Sequence, residues 1–139
     1  MIRWLLDTDH VSLHERGHPA LKYRFEAIRG DEVAVSVITV EEMIRGRLAV
    51  LARRIDGQAR VHAYAKFLET VSFFSSVPVV SFTSNCERQY LTLRSQGLRM
   101  GSQDMRIAAT ALSHGLIVVT RNSRDFERVP GLTIEDWTQ

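Results

Sequence analysis

The chain has 139 residues, 45% of them hydrophobic and 24% charged, which suits one domain with its own core and excludes a disordered polyelectrolyte. No run of about 18 apolar residues occurs, which excludes a membrane-spanning helix, and the apolar part of the first segment is too short for a secretory signal. A single cysteine, Cys86, excludes an intrachain disulfide and a cysteine-rich zinc site, and the net charge of +2 excludes a general polycation; the expectation is a cytoplasmic single domain spanning residues 1–139.

In chain order, Ile2 to Leu6 reads as a buried strand ending in Asp7. A helix or turn follows, with Asp9 placed as its N-cap. Leu21, Phe25 and Ile28 lie on one helix face, and Gly30-Asp31 breaks it. Glu32 to Ile38 is a Val-rich second strand. Residues 40 to 74 read as a helical hairpin. Its first stripe is Val40, Met43, Ile44, Leu48 and Leu51, and its second is Val61, Tyr64, Ala65, Leu68 and Val71.

Val79 to Phe82 is a short strand, and Ser84 to Glu87 matches a capping box opening a helix that ends near Gly97. Ser102 is placed to cap a helix carrying Met105, Ile107, Ala108, Ala111 and Leu112, stopped by Gly115. Leu116 to Thr120 is a fourth strand and Leu132 to Ile134 a short fifth. Strands alternating with helices predict a parallel sheet covered on both faces. Ligands of such sheets bind beyond the carboxyl ends of the strands. Asp7, the segment Thr39 to Glu42, and the segment Thr120 to Asp125 all follow strand ends and should gather at one rim.

An ionised carboxylate at the end of a buried strand loses hydration and needs a partner. Asp7, Glu42 and Asp104 crowd together if one sheet edge collects them, and a divalent cation relieves that repulsion. Oxygen donors of this kind suit Mg²⁺ or Mn²⁺. Each acid also has a structural reading. Asp7 can cap a helix, Glu42 can close a capping box with Thr39, and Asp104 sits where a helix dipole favours an acid. Asp125 can pair with Arg124 or cap the turn containing Phe126. His10, His14 and His18 recur every four residues, but Gly17 and Pro19 speak against one helix face carrying all three as ligands. Sixteen Arg stand against two Lys, and five of them fall between Arg45 and Arg60. That is a phosphate-binding footprint or a solvated helix face.

These motifs together resemble those of the PIN-domain ribonucleases, and within them the VapC toxins of toxin–antitoxin pairs. The resemblance rests on Leu6-Asp7-Thr8-Asp9, on Ser36 to Gly46, on Gly101 to Ala109, on Val119 to Phe126 and on the ending Pro130 to Trp137. It implies a three-layer α/β/α fold with a parallel sheet of about five strands. It also implies metal-dependent endonuclease activity on RNA, with Asp7, Glu42 and Asp104 as acidic core. In that reading Asp7 and Asp104 bind the ion, and Glu42 ligates it or helps deprotonate water. Asn122 and Asp125 orient water or a second ion, and Thr8 and Thr120 support them. Arg121, Arg45 and Arg47 hold the RNA backbone. Many family members carry a fourth acid where this chain has Asn122, so one well-held ion is expected in the free protein. The resemblance further implies a VapB-like antitoxin covering the acidic rim, and a homodimer. Two competing readings are an inactive PIN module that only binds RNA or protein, and a haloacid-dehalogenase-like phosphatase using Asp7 as nucleophile. The latter lacks a well-placed lysine and a later acid pair.

Overall fold

The computed structural model describes residues Met1–Gln139. Strands β1 (Trp4–Leu6), β2 (Val33–Ser36), β3 (Val79–Val80), β4 (Ile117–Val119) and β5 (Ile134–Glu135) form one parallel sheet in the order β3-β2-β1-β4-β5. Around it lie helices α1 (Thr8–Glu15), α2 (Pro19–Ala27), α3 (Val37–Leu51), α4 (Gly57–Ser76), α5 (Ser84–Ser95), α6 (Ser102–His114) and the single turn α7 (Ser123–Phe126). No helix is long and apolar enough to cross a membrane.

The two-residue period of the strands divides the interior. Leu5, Ala34 and Val118 join Tyr90, Leu93, Met105, Ile107 and Ala108 in the core beneath α5 and α6. Trp4, Leu6, Val33, Val35 and Val119 join Val11, Leu13, Leu21, Met43 and Trp137 in a second core beneath α1, α2 and α3. Two cores on opposite faces of one sheet make the α/β/α sandwich that the alternating pattern predicts.

Several boundaries fall where capping chemistry, not hydrophobicity, puts them. The second strand stops at Ser36, two residues short of Ile38. The Ser36 hydroxyl accepts the Thr39 backbone N–H at 3.1 Å and starts α3 there. Asp7, not Asp9, caps α1, its carboxylate accepting the His10 N–H at 2.8 Å. Thr83 caps α5 one residue before the expected Ser84. Ser102 is the first residue of α6 and not its cap. The first strand is narrower than Ile2 to Leu6, and the last is Ile134–Glu135. Gly115 ends α6 at φ 67°, a conformation that strains any residue with a Cβ.

The hairpin forms, and its second helix turns its apolar stripe outward. Val61, Tyr64 and Leu68 are 59%, 58% and 64% exposed, while Ala63 and Thr70 are buried. α4 carries apolar residues on two faces, and Phe67, Phe73 and Phe74 lie half-buried on the inner side. Arg47 of α3 donates to the Thr70 hydroxyl at 3.0 Å, a polar tie that fixes this orientation.

From β1 the chain steps outward to β2 and β3, then returns to place β4 and β5 on the other side. The order therefore reverses between β1 and β4. The crevice beyond their carboxyl ends is the natural ligand position in such a sheet.

Candidate active site

That crevice holds the acids. Asp7 continues β1, and its N–H donates to the Val119 carbonyl at 3.0 Å. Its side chain is almost wholly buried, at 4% exposure. Asp7, Thr8, Asp9, Asp104, Arg121 and Asn122 line an open depression of about 450 Å³ with no hydrophobic residue in its wall. A neighbouring groove of about 570 Å³ shares Thr8 and adds Glu42, Arg16, Arg47 and Lys66.

Glu42 is not the acid of a capping box, because Ser36 caps that helix. Freed from that role, it accepts the Thr8 hydroxyl proton at 2.7 Å. Since Thr8 gives its one proton to a carboxylate, the Thr39 hydroxyl, 3.1 Å away, must donate to Thr8. The Ser36 hydroxyl in turn donates to Thr39 at 3.5 Å. A directed chain of hydroxyls thus runs from the end of β2 to the Glu42 carboxylate, stabilises its negative charge and fixes its rotamer.

Asp104 occupies the first turn of α6, half-buried. Its carboxyl is pushed up to about 6, first by burial, then by the negative charges of Asp7 and Glu42 and, more weakly, Asp125. The Asn122 side chain brings it partly down. Asp104 therefore feels the charge of two acids that are distant from it in sequence.

The supporting residues lie behind and beside them. Asn122 donates its side-chain amide to Asp125 at 2.9 Å. The buried Thr120 accepts the Asn122 N–H at 2.8 Å and so fixes the turn after β4. Asp125 stands one step back, bonded to Asn122 and not to Arg124. Arg121 is at the rim but is held by Asp9 through two hydrogen bonds of 2.7 and 3.1 Å. That pairing raises its already high pKa. Arg47 is pinned by Thr70 and by Glu15 at 3.3 Å. Arg45 pairs with Glu41 on the exposed side of α3, away from the depression.

The three histidines do not gather. His10 is fully buried behind Asp7, His14 stacks on Phe25 with ring centroids 4.2 Å apart, and His18 precedes α2. No three His, Cys, Asp or Glu side chains close into a ready-made metal cage. The available donors are all oxygens spread along one rim. Sequence reasoning missed the roles of Ser36, Thr39 and His10. The spacing Ser36-x-x-Thr39 was the available signal for the cap, masked by the β-branched pair Val37-Ile38.

The family model described as "PIN domain" matches residues 5–132. The chain is 32% identical to the tRNA(fMet)-specific endonuclease VapC of Salmonella typhimurium, over 99% of both chains. It is 26% identical to ribonuclease VapC2 of Rickettsia felis, over 96% of this chain and 97% of that one. Among solved structures it is similar to the DNA-bound VapBC of Salmonella typhimurium, with a TM-score of 0.80, 29% identity and 99% coverage of each chain. VapBC2 of Rickettsia felis, bound to a promoter DNA fragment, gives a TM-score of 0.78 at 26% identity with the same coverage. By its acidic crevice, its sheet order and these full-length matches, the chain belongs to the PIN domain family, in its VapC branch.

Proposed function

We propose that this chain is a Mg²⁺- or Mn²⁺-dependent endoribonuclease and the toxin of a VapBC-type pair. The observation that carries the reading is the Asp104 carboxyl, lifted to about 6 at the switch point first by burial and then by the charges of Asp7 and Glu42. A cation offsets those charges. The donor set fits a hard ion that keeps several waters and takes one or two carboxylates plus substrate phosphate, so a closed protein cage is not required.

Asp7 and Asp104 would hold the ion. Asp7 has one oxygen, Oδ1, engaged by the His10 N–H, and the residue also lines the depression. The ion would supply Lewis acidity for hydrolysis of an RNA phosphodiester. Glu42, oriented by Thr8, would accept the proton of an attacking water. Asn122, held by Asp125 and by the Thr120 turn, lines the depression and would orient a water there. Arg121 is the guanidinium at the rim, and an RNA phosphate would compete with Asp9 for it. Relatives named for tRNA(fMet) favour tRNA as the substrate class.

The exposed stripe Val61, Tyr64 and Leu68 on α4 offers apolar surface for a protein contact. VapBC complexes among similar structures support an antitoxin partner, and the stripe suits a second copy of the chain.

The test compares the purified protein with Asp7→Asn. Asparagine caps a helix about as well as aspartate, so α1 and the fold are retained. The wild type should cleave tRNA with Mn²⁺ and lose activity in chelator, and the variant should be inactive at unchanged helicity. Metal-dependent cleavage by Asp7→Asn at the wild-type rate rejects the assignment.

A further inference from the structure

His10 is a wholly buried, titratable side chain with no part in the chemistry above. Its backbone N–H donates to Asp7 Oδ1 at 2.8 Å, and its ring Nδ1 lies 3.3 Å from the same oxygen. The approach of Nδ1 is too skewed for a hydrogen bond, and Nδ1 has no hydrogen-bond partner, so the ring meets the carboxylate by close charge–dipole contact alone. On the far side of the ring, the Trp137 backbone N–H donates to Nε2 at 3.4 Å. Asp136 Oδ1 is 3.7 Å from Nε2, and it is already supplied by the Thr138 N–H at 2.8 Å and the Thr138 hydroxyl at 2.6 Å.

These contacts orient the ring. A backbone N–H can only donate, so Nε2 is the acceptor, and in a neutral imidazole the proton then sits on Nδ1. That places an N–H against the Asp7 carboxylate. The Trp137 side chain anchors the far end. Its indole packs edge-on against Trp4 and Phe25, with centroids 5.6 and 5.7 Å away, and is 2% exposed. The C-terminal segment is thus connected through one imidazole to the acid at the end of β1.

We propose that His10 is a positioning residue for Asp7, bonding Oδ1 through its backbone N–H and backing it with the ring at 3.3 Å, so that the carboxylate keeps the orientation a divalent cation at the rim requires. This rests on the metal-site reading above. Groups that orient a metal ligand from behind typically change metal affinity by about 10–100-fold when removed. The Trp137 backbone contact also makes the C-terminus part of the site's scaffold rather than a loose end.

The test measures Mn²⁺ binding calorimetrically in the full chain, beside thermal melting without metal, for wild type, His10→Leu, His10→Gln and His10→Asn. Asparagine can present an amide N–H where Nδ1 stands, whereas glutamine and leucine cannot. The expected Mn²⁺ Kd is at least about tenfold weaker for His10→Leu and His10→Gln, and within about threefold of wild type for His10→Asn. All three variants should melt lower, because each disturbs the Trp137 contact. A Kd that merely follows the melting order, with asparagine no better than leucine, overturns the proposal. So does unchanged binding by His10→Leu. Nitrogen-15 NMR of the wild type decides the matter even if the variants fail to fold: the Nδ1–H tautomer is expected, and the Nε2–H tautomer refutes it. A wild type that binds no Mn²⁺ removes the metal site itself, a different outcome from a wild type that binds and a His10→Leu variant that binds equally.

Discussion

Replacing Asp104 by asparagine should stabilise the metal-free protein at neutral pH. The folded carboxyl titrates near 6 against an ordinary value of 3.8, so the folded state holds its proton more tightly than the unfolded chain. Stability contributed by this group is therefore present below about pH 4 and is lost as pH rises through about 6. At 1.36 kcal/mol per pH unit, the full displacement corresponds to about 3 kcal/mol. Asp104 is only half-buried, and screening by water takes away about half of that. Loss of the favourable charge at the start of α6 returns about 0.5 kcal/mol. A net gain of about 1 kcal/mol remains at pH 7, or about 4 °C in Tm for a domain of this size. The assay is thermal melting in chelator at pH 4 and pH 7, for both proteins. The difference should be near zero at the lower pH and reach its full value above pH 6. With Mn²⁺ in excess the order should reverse. A ligand at 100 times its Kd stabilises the binding protein by about 2.7 kcal/mol, and the variant has lost a ligating carboxylate. A variant less stable than wild type at pH 7 without metal, or a gain equal at both pH values, refutes the claim that crowded acids destabilise the empty rim.

Ser36→Ala removes the cap of α3 and the first hydroxyl of the chain that ends on Glu42. It should cost about 1–2 kcal/mol in chemical denaturation, and a value under about 0.3 kcal/mol would contradict the capping role. Leu68→Glu places a charge on the exposed stripe of α4. It should leave the monomer's melting temperature within about 2 °C, since exposed substitutions usually change stability by less than about 0.5 kcal/mol. Light scattering should report a dimer for wild type and a monomer for the variant; identical masses would move the self-contact off this face.

The layer architecture was legible because it depends on a repeating signal. Leu5, Ala34 and Val118 face one core while Trp4, Leu6, Val35 and Val119 face the other, and the buried runs in the sequence carry that alternation directly. Element edges were less legible because a single side-chain hydrogen bond decides them. Val37 and Ile38 favour a strand by shape, yet the Ser36 hydroxyl accepts the Thr39 N–H and turns both into helix. The same contest misplaced the caps of α1 and α5. The side that the α4 stripe faces was not legible for another reason. Val61, Tyr64 and Leu68 repeat with helical spacing whether they meet this chain's core or another surface, and periodicity alone does not say which.

The acids show where sequence and structure inform each other most. Each had a local explanation: a cap for Asp7, a capping box for Glu42, a helix dipole for Asp104. The structure keeps the first, removes the second and leaves the third too small. Asp7 does cap α1, but Oδ1 alone serves that purpose, and the residue also lines the depression. Glu42 is separated from its presumed backbone partner and supplied with a hydroxyl proton instead. For Asp104, a helix dipole would lower a carboxyl pKa, yet burial and the charges of Asp7 and Glu42 raise it. Local rules are thus overridden where three elements meet at the reversal of strand order, while at the far end of α6 the expected Gly115 does stop the helix. Three acids whose local explanations fall short at one rim are what a site that exchanges stability for binding predicts.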